Sequence, residues 1–344
     1  MQERVWPMYL GTEARVAPAE TLSANPQPVW RTSVARGIIG APALTEDVVA
    51  VSLVDKRVAL LERATGTVLW TRRLQQTIGA GPLIVDDRML VAEQSLGGKT
   101  YALRLSNGAT IWSARTGDVV APIALSVNDN ALFVASAEGW VGRLDPQHGT
   151  FGWQQHIGGG VRAAPLVTPH GLVVATQADS IYLLDKDNGH VLVRRGTRGT
   201  VLAAPALGDS VLVFGTTAGK LEAADPVTLI AHWSLDLGDI VVGSVALRNG
   251  RAYAYTSRGL LVVVPLAAPS AAQRIPVGLA ARAGPSPAPQ GVFIGGVTGE
   301  IVLVDSTGTR LWTAHVEPPI NEALLLDART LFAVSLRGDL VMYR

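Results

Sequence analysis

The residues able to do chemistry are few and scattered. The six histidines, His148, His156, His170, His190, His232 and His315, include no His-x-His pair and no His-Glu-x-x-His spacing, so none sits ready to share a metal ion. His148 and His190 fall in turn sequences, where a solvated imidazole is the ordinary outcome. Gly158-Gly159-Gly160 has the look of a phosphate cradle, but it runs into strand-forming residues and lacks the lysine and following helix of a P-loop. No Gly-x-Ser-x-Gly elbow occurs. With no cysteine, there is no thiol nucleophile, disulfide or thiolate metal site. Asp145, Asp185, Asp225 and Asp305 each stand at the end of an apolar run just before a turn, where a carboxylate caps turn N–H groups. These observations give no catalytic residue, no metal site and no cofactor site. The densest basic stretch is Arg194, Arg195 and Arg198, flanked by Leu192 and Leu202, and these five residues are the candidate contact with a protein partner.

The elements that carry these residues repeat. Thr65-Gly66-Thr67-Val68-Leu69-Trp70 recurs as Asn107–Trp112, His148–Trp153, Asn188–Val193 and Thr307–Trp312, and Trp30 and Trp233 fit the series without the glycine. Successive positions 30, 70, 112, 153, 193 and 233 are spaced by 40 to 42 residues, and a degenerate unit falls around Ile275 before Trp312. Each unit has an inner strand opened by a small residue and proline, as at Ala41-Pro42, Gly81-Pro82 and Ala164-Pro165. A β-branched second strand follows, then a Gly turn, a third apolar strand, and the outer strand that bears the tryptophan. A period near forty in strand-like units predicts an all-β fold, an eight-bladed β-propeller of four-stranded antiparallel blades. The last unit lacks an outer strand and an orphan one lies at Trp30, so the N- and C-terminal strands are expected to close one blade. Residues 1–28, with Trp6 and Tyr9 as anchors, read as an extended arm, and residues 29–344 as one propeller.

Composition agrees. Gly (36) and Pro (20) are abundant and charge is low at 17 %, as many short strands and tight turns require. The net charge of +1 gives no reason to expect nucleic acid or a strongly anionic membrane surface. No apolar run is long enough to span a bilayer as a helix, and Met1–Trp6 lack the apolar core of a signal peptide, so the expectation is either a cytosolic protein or a mature form whose targeting segment is not present in this chain.

The Gly-x-x-x-Trp spacing resembles the tryptophan-docking (PQQ-like) repeat of quinoprotein propellers, over residues 29–344. The resemblance implies that Trp30, Trp70, Trp112, Trp153, Trp233 and Trp312 are structural and dock on neighbouring blades. It leaves two functional classes open. One is the enzymes that bind pyrroloquinoline quinone with calcium, which are generally longer and carry an adjacent cysteine pair. The other is the non-catalytic scaffolds typified by BamB, an assembly factor of the outer membrane. The ending Gly338–Arg344 and the opening Trp30-Arg31-Thr32-Ser33-Val34 are more similar to the second. Leu192-Val193-Arg194-Arg195-Gly196 resembles a Leu-x-Leu-Arg-Gly stretch of those scaffolds, with Arg194 in place of the second leucine. That likeness implies a cell-envelope scaffold, monomeric within a complex, whose partner is a periplasmic domain of the outer-membrane assembly barrel. A propeller with an unrelated extracytoplasmic partner is the third reading.

Overall fold

The computed structural model describes residues 22–344 apart from residues 35, 209 and 328; the arm up to residue 21, with Trp6 and Tyr9, lies outside the described residues. Eight four-stranded antiparallel sheets form an eight-bladed β-propeller. Blade 1 shows the pattern: Ile38–Leu44, Val48–Leu53, Arg57–Glu62 and Val68–Arg73 pair in chain order from the inside outward. Blades 2 to 7 repeat it over residues 83–115, 124–156, 166–196, 206–236, 241–276 and 286–315. Blade 8 takes three strands from residues 325–343 and its outer strand, Pro28–Ser33, from the other end of the chain. Trp30 lies opposite Met342 and Ser33 opposite Asp339 in that closure, and Gln27 and Arg344 exchange backbone hydrogen bonds of 2.8 and 2.9 Å.

Two compact units divide the chain. The first holds residues 39–201 and 227–229, and so blades 1 to 4; the second holds the other described residues, and so blades 5 to 8. In both, the middle strands are apolar on both faces because a blade lies against each. Gly171–Thr176 and Ser180–Leu184, for example, are buried at every position. Outer strands alternate instead, as Ala231–Asp236 does, since one face meets water. The prolines precede the short inner strands of blades 2 to 5 and 7, but Pro42 lies inside Ile38–Leu44, the edge strand of its sheet, where proline is tolerated.

One device recurs that the periodicity did not reveal. In seven of the eight outer strands the register slips by one residue, and the extra residue always directly precedes the tryptophan position. In blade 1, Val68 faces Leu61 and Trp70 faces Leu60, which leaves Leu69 unpaired. A β-bulge of this kind bends the strand and re-aims the next side chain.

The re-aimed indoles reach the following blade. Trp70 donates its Nε1–H to the carbonyl of Leu105 at 2.8 Å, Trp112 to Pro146 at 3.0 Å and Trp153 to Lys186 at 2.8 Å. Each acceptor lies three residues before the repeat glycine of the next blade, and the ring covers that glycine. A Cβ on Gly108 would stand 3.0 Å from the Trp70 ring, and one on Gly189 only 2.5 Å from that of Trp153. The repeat glycine therefore serves as the seat of the preceding tryptophan as well as a turn residue. In the second unit, Trp30 meets Phe332 edge to face at 6.1 Å and Trp312 meets Tyr343 at 5.4 Å.

The degenerate positions follow the same geometry. Ile275 stands where blade 6 lacks a tryptophan, and a Cβ on Gly308 would lie 2.8 Å from it. No register slip occurs in that strand, Gln273–Pro276. Blade 4 has Val193 in place of tryptophan, and the corresponding seat is Leu229, fully buried with a left-handed φ of 56°.

Replacing Trp112, which is 8 % exposed, by alanine is expected to lower stability by about 3–5 kcal/mol in chemical denaturation. A paired comparison isolates the seat. Gly149 and Gly238 both have positive φ, but only at Gly149 would an added methyl meet an indole, that of Trp112. Gly238→Ala should cost about 1 kcal/mol for its backbone, and Gly149→Ala about 1–3 kcal/mol more for overpacking.

Candidate protein-interaction site

The basic stretch forms the outer strand Val191–Gly196 of blade 4 and the connection that leaves it. In a four-stranded blade this connection emerges on the same side as the hairpins between second and third strands. Accordingly Thr197 N–H donates to Asp179 O at 2.8 Å, and the Thr200 hydroxyl to the Asp179 carboxylate at 2.7 Å. The loop is thus tied to its own blade's hairpin.

The five candidate residues do not converge on one anchor. Arg194 lies opposite Tyr182 and Arg195 opposite Ile181, so the two point to opposite faces of the sheet. Arg194 stacks over the Tyr182 ring, 5.6 Å from its centroid, and donates to the Ser180 hydroxyl at 3.3 Å. Arg195 donates to the carbonyl of Leu229 at 3.0 Å, at the very seat that a tryptophan covers in other blades. It works there as part of the blade junction. Leu192 is 51 % exposed because it is the unpaired bulge residue; Val29, Leu69 and Leu311 hold the same place in other blades at 49, 52 and 46 %. Arg198 is exposed and makes no side-chain hydrogen bond or ion pair among the described residues. Leu202, 48 % exposed, belongs to the second unit, while its neighbour Val201 is buried in the first. The accessible part of the candidate set is therefore Leu192, Arg194, Arg198 and Leu202.

The other residues singled out for chemistry have structural surroundings. Asp185 accepts from the N–H groups of Asp187 and Asn188 at 2.7 and 3.2 Å, and these bonds, the Asp187 one foremost, hold its carboxyl below the usual range. Asp305 is lowered in the same way, first by the Thr307 hydroxyl. The Gly158–Gly160 run packs against a hairpin: a Cβ on Gly159 would stand 2.8 Å from that of Ala178. His156 bonds the carbonyl of Glu138 at 3.0 Å and packs edge to face with Trp140. Among the described residues, no three His, Asp or Glu side chains are grouped to hold a metal ion, and no helix is long and apolar enough to cross a membrane.

A family model described as outer membrane protein assembly factor BamB matches residues 22–136 and 137–284. The chain belongs to the BamB family. The BamB of Legionella pneumophila (strain Paris) is 29 % identical over 195 residues, 53 % of this chain and 49 % of that protein. That of Yersinia pestis is 24 % identical over 277 residues, 72 % of this chain and 69 % of its own length. The chain thus spans about half of the first relative and somewhat over two thirds of the second. The crystal structure of BamB from Moraxella catarrhalis superposes with a TM-score of 0.78 at 16 % identity, covering 93 % of this chain and 99 % of that one. A quinohemoprotein alcohol dehydrogenase from Comamonas testosteroni gives 0.80 at 12 % identity, over 99 and 80 %. Both likenesses are of fold, so the BamB assignment rests on the sequence match.

Glu322 stands just before the inner strand of blade 8, at a position where the other repeats hold alanine or glycine. Burial pushes its carboxyl up to about 7 from an ordinary 4.5. A carboxyl raised by folding favours the protonated folded state, so this contribution is complete below about pH 4.5 and is lost as pH rises through about 7. Glu322→Gln should accordingly be more stable than the parent at pH 8 and differ least at pH 4, read from thermal unfolding across that range.

Proposed function

We propose that the chain is a non-enzymatic scaffold of the cell envelope that assists assembly of β-barrel proteins into the outer membrane. The observation that carries this reading is the family match, which runs through residues 22–284 and so through blades of both units. The printed names of both curated relatives, outer membrane protein assembly factor, support the same role. Repeats whose aspartates cap turns and whose tryptophans fill blade junctions suit a protein that works through its surface.

The partner in this reading is a periplasmic domain of the assembly barrel, met through the blade 4 strand and its connection. Leu192 offers apolar contact, and Arg198 offers a guanidinium with no competing intramolecular partner among the described residues. Arg194 presents its stacked guanidinium beside them. Arg195 supports the loop from beneath through Leu229. An acidic patch on the partner would complement this set.

Binding of the full chain to the isolated periplasmic domains, measured by calorimetry, tests the reading. Arg198→Glu is expected to weaken the complex by about 2 kcal/mol or more, as at an interfacial hot spot, with the melting temperature unchanged. Unchanged affinity would clear this loop, and no binding by the parent chain would remove the partner assignment.

A further inference from the structure

The +1 net charge conceals a segregation that the topology creates. In the first unit, each blade has one half bearing the second-to-third hairpin and the outgoing connection, and another bearing the remaining two hairpins. The first half carries ten Lys and Arg against five Asp and Glu; the second carries five against nine.

Four of the five carboxylates of the cationic half are already engaged. Asp55 pairs with Arg57 at 2.7 Å. Glu93 is 2 % exposed and accepts from the N–H groups of Gln75, Gln76 and Lys99 at 3.0, 2.8 and 3.2 Å. Glu138 accepts from Asp118 N–H at 3.1 Å, and Asp179 from the Thr200 hydroxyl. The fifth, Asp118, has an Oδ1 that is buried without a hydrogen-bond partner, and its carboxyl is raised, first by burial and then by the charge of Glu138. Arg73, Lys99 and Arg115, by contrast, make no side-chain hydrogen bond or ion pair among the described residues.

Their placement departs from the repeat. The first residue of each third strand lies opposite the end of the outer strand. In the second unit, blades 5 and 8 hold complementary pairs there: Lys220 with Asp236, ion-paired at 2.6 Å, and Asp339 with Ser33, hydrogen-bonded at 2.8 Å. Blade 6 sets Leu260 against Pro276, and blade 7 sets Glu300 against His315. Blade 1 instead sets Arg57 against Arg73, and blade 2 sets Lys99 against Arg115. Like charges directly opposite one another destabilise a sheet. Blade 3 continues the row with Trp140 against His156, and Trp140, the one described tryptophan outside the docking series, is 48 % exposed. Between these positions the blade 2 hairpin Ser95-Leu96-Gly97-Gly98 carries Leu96 at its tip, 83 % exposed.

We propose that this half of blades 1 to 3 docks on an anionic lipid surface, with Arg73, Lys99 and Arg115 at the headgroup phosphates and Leu96 and Trp140 inserted among the headgroups. The choice of a bilayer over an acidic polypeptide rests on the apolar pair. A projecting aliphatic tip and a half-exposed indole beside unneutralised cations are the elements of interfacial binding: the apolar groups enter the headgroup region while cations meet negative surface potential. The inference does not depend on the assembly-factor reading, and its residues are separate from Leu192, Arg198 and Leu202.

Co-sedimentation of the full chain with vesicles tests it, comparing pure phosphatidylcholine with phosphatidylcholine containing one quarter phosphatidylglycerol. Binding is expected to the anionic vesicles alone at about 0.1 M salt, and to be lost at about 1 M, where the screening length falls from about 10 Å to about 3 Å. The double variant Lys99→Glu, Arg115→Glu should bind at least about tenfold more weakly, since each cation near the surface is worth about 1 kcal/mol. Leu96→Ser, which changes no charge, should also lose several-fold. Arg104→Glu, on the opposite half of blade 2, should bind as the parent does, and unchanged thermal melts keep the comparison to folded protein. Absence of binding to the anionic vesicles, equal binding to both vesicle types, or an equal loss in Arg104→Glu would overturn the proposal. Binding to polyglutamate with none to vesicles would overturn it in favour of an acidic polypeptide.

Discussion

An indole laid across a residue that has no side chain is the contact on which this propeller turns. The tryptophan of one outer strand needs a flat seat on the next blade, a carbonyl for its N–H, and a strand bent so that the ring points there. The glycine supplies the seat, the carbonyl three residues earlier accepts the proton, and the bulge supplies the bend. Each feature is of little use without the other two. Their joint variation makes the point: the strand with Ile275 has no slip in register, and Val193, smaller than tryptophan, is matched by a bulkier Leu229 at the seat. At the junction with Val193 the lost ring volume is thus partly restored by the seat residue.

Much of this architecture is legible in the sequence because it repeats. A tryptophan every forty residues, proline at the inner strand and glycine at the hairpin each report a local requirement, and eight imperfect copies separate pattern from chance. The orphan strand at Trp30 could be matched to residues 340–343 by counting alone. The bulge was not legible, since Leu69 and Leu192 look like ordinary strand residues until the partner register is known. Nor was the second duty of the repeat glycine, because a turn already accounts for it.

The candidate site was less legible than the fold, for a physical reason. A run of arginines in sequence says nothing about which way each points, and strand alternation sends Arg194 and Arg195 to opposite faces. Arg195 is drawn into the blade junction by the carbonyl of Leu229, 34 residues away in sequence though close in space. Charge behaves similarly. Lys99 and Arg115 are unremarkable apart, and only the pairing of their strands sets them face to face. Net charge averages over the very dimension along which the blades sort their ionisable groups.

The closure of blade 8 has a consequence for the order of events during synthesis. Residues 28–33 are made well before their partners, residues 339–343, and the Ser33–Asp339 hydrogen bond spans 306 positions. Until those partners appear, the early strand has no ladder to join and blade 8 has an open edge. Folding of the earlier blades can proceed as their segments become available, but closure must wait for residues 339–343. The strand at residues 28–33 thus waits across nearly the whole ring for its partner, and a chain interrupted before residue 339 leaves two strand edges exposed, that of residues 28–33 and that of residues 330–334.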